Sequence, residues 1–150
     1  MSDSYLLLIP TDPHFVPSPA AAELARLRLE QLVPDAEDVT AVVNDSVEFI
    51  DQGSNFERVR CPHCGRVLAQ EWWSDRFDQA EATEFSALEV SVPCCGSSVS
   101  LNDLKYELPA GFAKFVLETM NPNVRDFPDE ALADLSRDLG TPLRRIWAHY

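Results

Sequence analysis

Four cysteines in two tight pairs constrain this chain more than any other feature of its sequence. Cys61 and Cys64 fall in Cys61-Pro62-His63-Cys64-Gly65, and Cys94 and Cys95 fall in Pro93-Cys94-Cys95-Gly96. Two disulfides would need an oxidising compartment, and the opening Met-Ser-Asp-Ser has no basic stretch of the kind that begins an export signal. The expectation is therefore a cytoplasmic chain whose clustered thiols serve as metal ligands or redox groups. A two-residue spacer lets two thiolates converge on one ion from a tight turn. Pro62 presets one backbone angle of that turn, and Gly65 allows the positive φ it often needs. The second pair is harder to fit, because adjacent side chains on an extended strand point to opposite faces. Both reach one ion only if the backbone turns between them, which Pro93 and Gly96 favour. The ligand set read from the sequence is Cys61, Cys64, Cys94 and Cys95. The alternative keeps Cys61 and Cys64, takes one of the adjacent pair, and adds His63 or a distant histidine.

The two Cys-Gly endings resemble a zinc ribbon, and that resemblance implies a structural zinc ion with four sulfur ligands and no open position. A second resemblance rests on Pro93-Cys94-Cys95-Gly96, Ser100-Leu101-Asn102-Asp103-Leu104, Tyr106, Pro109-Ala110-Gly111-Phe112-Ala113 and Asn121-Pro122. Through them residues 61–150 resemble a family of small uncharacterised bacterial proteins, which implies a metal site and a bacterial origin but no activity.

Two other chemistries compete for these cysteines. Cys-Pro-His-Cys also resembles the active-site motif of thioredoxin-fold disulfide oxidases, in which the first thiolate is stabilised at a helix N-terminus. Here Gly65-Arg66-Val67 follows, a poor helix start, and the second pair would be left without a role. The zinc deaminase signature needs His-x-Glu and Pro-Cys-x-x-Cys, and none of His14, His63 and His149 stands in that pattern.

The rest of the chain sets these motifs in an α+β frame. Ser4–Ile9 is an apolar run that ends at Pro10 and reads as a buried strand. Ser18 is placed to cap a helix that begins at Pro19 and runs to about Val33. Residues 39–50 are rich in valine and read as one strand or as a hairpin broken at Asn44-Asp45-Ser46. Asp51–Asn55 reads as a loop. Trp73, Phe77 and Ala80 follow helical spacing, which predicts a helix over Glu71–Ala82, and Phe85–Val92 alternates as a strand does. Leu101–Leu104 reads as a turn and Gly111–Met120 as a strand. Asp129–Leu139 is a helix stopped by Gly140, and Leu143–Tyr150 is a terminal strand. With residues 55–110 set aside, the order is β-α-β-β-α-β, the pattern of a ferredoxin-like sandwich. The expected architecture is one domain over residues 1–150: that sandwich, both helices on one face, with a zinc-binding insert at 55–110.

Charge narrows the partners. The chain has 25 acidic against 12 basic residues, a formal charge of −13. Recognition led by phosphate contacts needs a basic footprint, and an anionic membrane surface would repel such a chain. No apolar run reaches the length that spans a bilayer. Asp35, Glu37 and Asp38, and separately Asp75, Asp78 and Glu81, form acidic segments, and a negative field speeds encounter with a basic partner. Arg144, Arg145, Trp147, His149 and Tyr150 form a basic-aromatic end that reads as edge-strand protection. Asp12-Pro13-His14 holds a loop histidine beside an acid but no partnered nucleophile. Trp72, Trp73 and Phe77 are either partner anchors or the core of the insert.

These features predict a non-enzymatic, zinc-stabilised acidic binding protein that engages a basic protein partner, as a bacterial immunity or inhibitor protein does. The zinc would hold together an insert too poor in apolar side chains to fold alone. Two alternatives stand beside this. One is a zinc-ribbon adaptor of nucleic-acid machinery, which requires a basic tip from Arg58, Arg60 and Arg66. The other is a thiol oxidoreductase working through Cys61 and Cys64.

Overall fold

The computed structural model describes residues 3–51 and 58–150. Most of the expected loop over Asp51–Asn55, and the start of the expected insert, lie outside the described residues. The chain is a mixed α+β structure with three helices and a four-stranded antiparallel sheet. The sheet is built from β1 (Ser4–Pro10), β2 (Asp38–Ile50), β7 (Gly111–Met120) and β8 (Leu143–His149), in the order β2-β7-β1-β8. Every neighbouring pair runs antiparallel, with Leu8 opposite Leu117, Leu7 opposite Ile146 and Thr40 opposite Glu118.

Two helices close one face of this sheet. Helix α1 (Pro19–Leu32) starts as its sequence dictates: Pro19 holds the first turn, and Ser18 Oγ accepts the Ala21 N–H at 3.2 Å. Helix α3 (Asp129–Leu139) ends at Gly140, which takes φ +80° and donates its N–H to Ser136 O at 2.8 Å. Ala25 and Leu29 of α1, and Leu135 and Leu139 of α3, pack on Leu6, Leu8, Phe115 and Leu117 of the sheet. Arg28 clasps Asp138 between the helices, its Nε 2.5 Å from Oδ2.

Residues 39–50 form a single strand rather than a hairpin. The register with β7 shifts between Val43 and Glu48, so Asn44-Asp45-Ser46 is absorbed as a β-bulge. Polar residues that would end an isolated strand survive here because β7 supplies partners on both sides of the irregularity.

Residues 58–110 leave the sheet after β2 and return at β7. They hold β3 (Val59–Arg60), α2 (Gln70–Glu81), β4 (Glu89–Ser91), β5 (Ser98–Ser100), a 3-10 turn at Leu101–Asp103 and β6 (Lys105–Tyr106). The strand expected over Phe85–Val92 shrinks to β4. Glu84 and Phe85 take φ values of +56° and +57°, and the Phe85 N–H closes on Ala80 O at 2.9 Å, so this stretch finishes the turn that ends α2. Alternation of side chains could not reveal that, because Phe85 is buried for a different reason: it seals the end of a helix.

The segment, expected to hold too few apolar side chains to fold alone, builds its core jointly with the sheet. Leu68, Ala80, Phe85, Leu88, Val92, Val99, Leu101 and Leu104 are buried together with Val47 and Phe112 of the sheet. Trp73 and Phe77 join Phe49 and Phe112 in one aromatic cluster, with contacting ring centroids 5.0–6.2 Å apart. The segment shares a core with the sheet, which a reading of the segment in isolation could not supply.

One buried polar residue fastens the two parts. Asn102 is 2% exposed. Its amide donates to Thr11 O at 2.9 Å, and its carbonyl oxygen accepts the Phe112 N–H at 2.8 Å. Arg144 from β8 reaches the same spot and donates to Asn102 O at 3.0 Å and Ala110 O at 2.8 Å.

Candidate metal centre

The first cysteine pair sits on a turn between β3 and the extended residues Val67-Leu68. Arg60 bridges Val67, and the Leu68 N–H reaches Val59 O at 2.8 Å. The second pair sits on the turn between β4 and β5. The two turns match hydrogen bond for hydrogen bond. Gly65 donates to Cys61 O and Gly96 to Val92 O, both at 2.9 Å. Cys61 donates to Arg66 O at 2.9 Å and Val92 to Ser97 O at 3.0 Å. Gly65 and Gly96 take φ of +75° and +71°, the left-handed conformation that lets each turn close.

This match aligns Cys61-Pro62-His63-Cys64-Gly65 with Val92-Pro93-Cys94-Cys95-Gly96. Cys64 and Cys95 are then equivalent. Val92 stands where the first turn has Cys61, and Cys94 stands where the first turn has His63. The adjacency of Cys94 and Cys95 is thereby resolved: they occupy the third and fourth positions of a tight turn, not successive positions of a strand. The signal was present in the sequence as the shared Pro-x-Cys-Gly, but it shows only when the glycines, not the first cysteines, are taken as the anchor.

The four sulfurs converge, all within 4.8 Å of one another. Cys61 Sγ lies 3.9 Å from Cys95 Sγ, and Cys64 Sγ lies 3.2 Å from Cys94 Sγ. Sulfurs bound tetrahedrally at about 2.3 Å from an ion stand about 3.8 Å apart, so this spacing suits a single metal ion. A disulfide would bring two of them to about 2.05 Å, and all four are free thiols. The group gathered among the described residues is the four cysteines, and His63 lies next to it in the chain without being part of it.

The protein environment acts unequally on these thiols. The backbone N–H of Cys64, joined by that of His63, holds the Cys61 thiol below its ordinary value against the opposing pull of burial. The Arg66 N–H, then the Cys94 thiol, do the same for Cys64. Cys94 keeps its proton for Cys64 and is further desolvated, so its thiol is pushed up to about 12. Backbone donors that steady a thiolate also steady a metal-bound sulfur, because both carry negative charge. Soft thiolate donors in this number and shape suit zinc or another thiophilic ion.

The surroundings bear on the competing readings. Cys61 is fully buried and does not stand at a helix N-terminus, since α2 begins at Gln70. It therefore lacks both the access and the dipole that activate an oxidoreductase thiol. Arg58 pairs with Glu107 at 2.8 Å, and Arg60 lies 3.8 Å from the same carboxylate and donates to Gly65 O at 3.2 Å. Two of the three arginines expected to form a basic tip are thus occupied within the protein.

The remaining sequence candidates are dispersed. His14 donates its backbone N–H to Asp12 Oδ1 at 3.0 Å and lines a cleft of about 280 Å³ with Asp45, Glu84 and Lys114. His149 Nδ1 lies 3.1 Å from Ser4 Oγ beside Trp147. Arg145 pairs with Asp129 at 2.7 Å, and Arg144 is drawn inward to Asn102. The basic-aromatic end is thereby divided between two faces of β8. No helix among the described residues is long and apolar enough to cross a membrane. Set against family models, curated proteins and solved structures, the chain gives no significant match.

Proposed function

We propose that the four sulfurs hold one structural zinc ion, and that the chain is a non-enzymatic binding protein whose acidic surface engages a basic protein partner, as a bacterial immunity or inhibitor protein does. The ion would join the hairpin carrying Cys61 and Cys64 to the hairpin carrying Cys94 and Cys95. Cys61 and Cys95 would grip from one side, Cys64 and Cys94 from the other. A four-thiolate ion lacks an open position for substrate, so its contribution is to shape rather than chemistry.

The observation that carries the binding role is the outer face of α2. Glu71, Asp75, Asp78 and Glu81 are exposed at helical spacing, while Trp73 and Phe77 turn into the core. The helix thus displays charge and withholds its aromatics, which suits electrostatic docking of a basic surface more than apolar docking. The ferredoxin-like arrangement belongs to the same proposal. It is supported by the order β2-β7-β1-β8, in which each of the two helical crossovers skips one strand.

The test is affinity capture from the native host with the full chain and with a Glu71→Lys/Asp75→Lys/Asp78→Lys/Glu81→Lys variant. The expected result is a basic protein retained by the wild type, released by salt, and lost with the variant. A partner that ignores both salt and the variant would overturn the acidic-face reading.

A further inference from the structure

The equivalence of the two turns says more about the metal site than the four cysteines alone. Cys94, at the third position of its turn, brings its sulfur to 3.2 Å from Cys64. The third position of the matching turn is His63. Both turns carry a proline before that position and a left-handed glycine two residues after it. Both are closed by the same pair of backbone hydrogen bonds. The backbone therefore presents the third-position side chain alike in each. An imidazole nitrogen also extends farther from its Cβ than a thiol sulfur does. His63 is exposed, and its side chain makes no hydrogen bond or ion pair among the described residues, so turning it toward the ion would break no contact. His14 and His149 sit elsewhere, beside Asp45 and Ser4 respectively.

We infer that His63 is a second ligand for the coordination place held by Cys94, so that these turns hold an ion with four thiolates or with three thiolates and one imidazole. The inference rests on the metal-site reading above and deepens it. Cys94 is the exchangeable ligand because it is the irregular one. The first position of its turn, which supplies the sulfur in the other hairpin, is filled by Val92, 1% exposed within the core. Neutral imidazole for thiolate also reduces the negative charge of the loaded site by one. Chemical loss of the Cys94 thiolate, by alkylation or by a peroxide oxidant that converts it to the sulfenic acid, would then leave the ion bound.

Cobalt(II) is the probe, because its visible bands report ligand type, and the full chain is used throughout. The wild type should bind one Co2+ with the spectrum of a four-sulfur site. Cys94→Ala should still bind one Co2+, with its visible bands moved to higher energy and its sulfur charge-transfer band weakened, as imidazole replaces thiolate. Adding His63→Ala to Cys94→Ala should weaken binding by a further ~10–100-fold. Val92→Cys with Cys94→Ala rebuilds the second turn on the pattern of the first. It should restore the four-sulfur spectrum, which shows that the chain folds without Cys94. Equal affinity and identical spectra for Cys94→Ala with and without His63 would overturn the inference. So would failure of Cys94→Ala to bind while the rebuilt turn binds. A wild type that takes up no Co2+ would overturn the metal site itself, a result distinct from either.

Discussion

Asn102 Oδ1 accepts the Phe112 N–H at 2.8 Å, which ties the cysteine-bearing segment to the start of β7. The same side chain donates to Thr11 O, so three distant parts of the chain meet on one buried amide. Asn102→Ala leaves the buried Phe112 N–H without its acceptor, which costs about 1–3 kcal/mol, and removes the part-buried bond to Thr11 O, worth about 1 kcal/mol. Urea unfolding should show a loss of about 2–4 kcal/mol. A change under about 0.5 kcal/mol would mean that this junction carries none of the stability assigned to it here.

Gly111 lies in the same junction. A Cβ there would stand 2.6 Å from Arg144 Nη1, 2.8 Å from Ile9 Cδ1 and 2.9 Å from Asn102 Oδ1. The backbone at this residue does not require glycine; the space does. Gly111→Ala should cost about 1–3 kcal/mol, as overpacking does, and combined with Arg144→Ala should cost less than the two single losses added. Strict additivity in a double-mutant cycle would show that Arg144 is not the obstacle.

What the sequence disclosed, and what it withheld, follows from which forces are local. Ser18-Pro19 and Gly140 are decided by the backbone within a few residues, and the helices they bound appear as expected. Cys61, Cys64, Cys94 and Cys95 could be grouped because chelation restricts spacing so tightly. Asn102 and Arg144 were invisible as partners, since nothing local marks a residue whose contacts lie 10 to 91 positions away. Glu84 and Phe85 misled because an alternating pattern does not distinguish a strand from the sealed end of a helix. The core around the inserted segment was not legible because Val47, Phe49 and Phe112 belong to the sheet in sequence but pack on the insert in space.

That shared core shapes the response to metal removal. Phe49, Phe77 and Tyr106 pack around Trp73, and Phe85 and Phe112 extend the cluster through Phe77 and Phe49, all by ring contacts that involve no cysteine. Stripping the metal with a chelator should lower the thermal midpoint yet preserve the near-ultraviolet circular dichroism of the aromatic cluster at room temperature. Collapse of that signal on chelation would show that the ion, rather than the core, holds the segment together.

The metal-free thiols should differ in reactivity. The thiolate is the nucleophile, and the Arg66 N–H and the Cys94 thiol hold the Cys64 thiol below its usual range, while the Cys94 thiol is raised to about 12. As pH rises from neutral, Cys64 therefore ionises ahead of Cys94. Cys61 is also lowered but is fully buried, so access slows it. Iodoacetamide labelling followed by peptide mass mapping should find Cys64 modified ahead of both. Cys94 modified before Cys64 would contradict the assigned environments.

The most direct measurement is the metal content of the untagged, full-length protein together with its count of reactive thiols before and after chelation. The account predicts one zinc per chain, four cysteines shielded from a thiol reagent, and simultaneous exposure of all four with release of the ion under a strong chelator or acid. A metal-free protein whose cysteines react freely from the outset, or one whose bound zinc remains when Cys61 and Cys64 are both replaced, would contradict it.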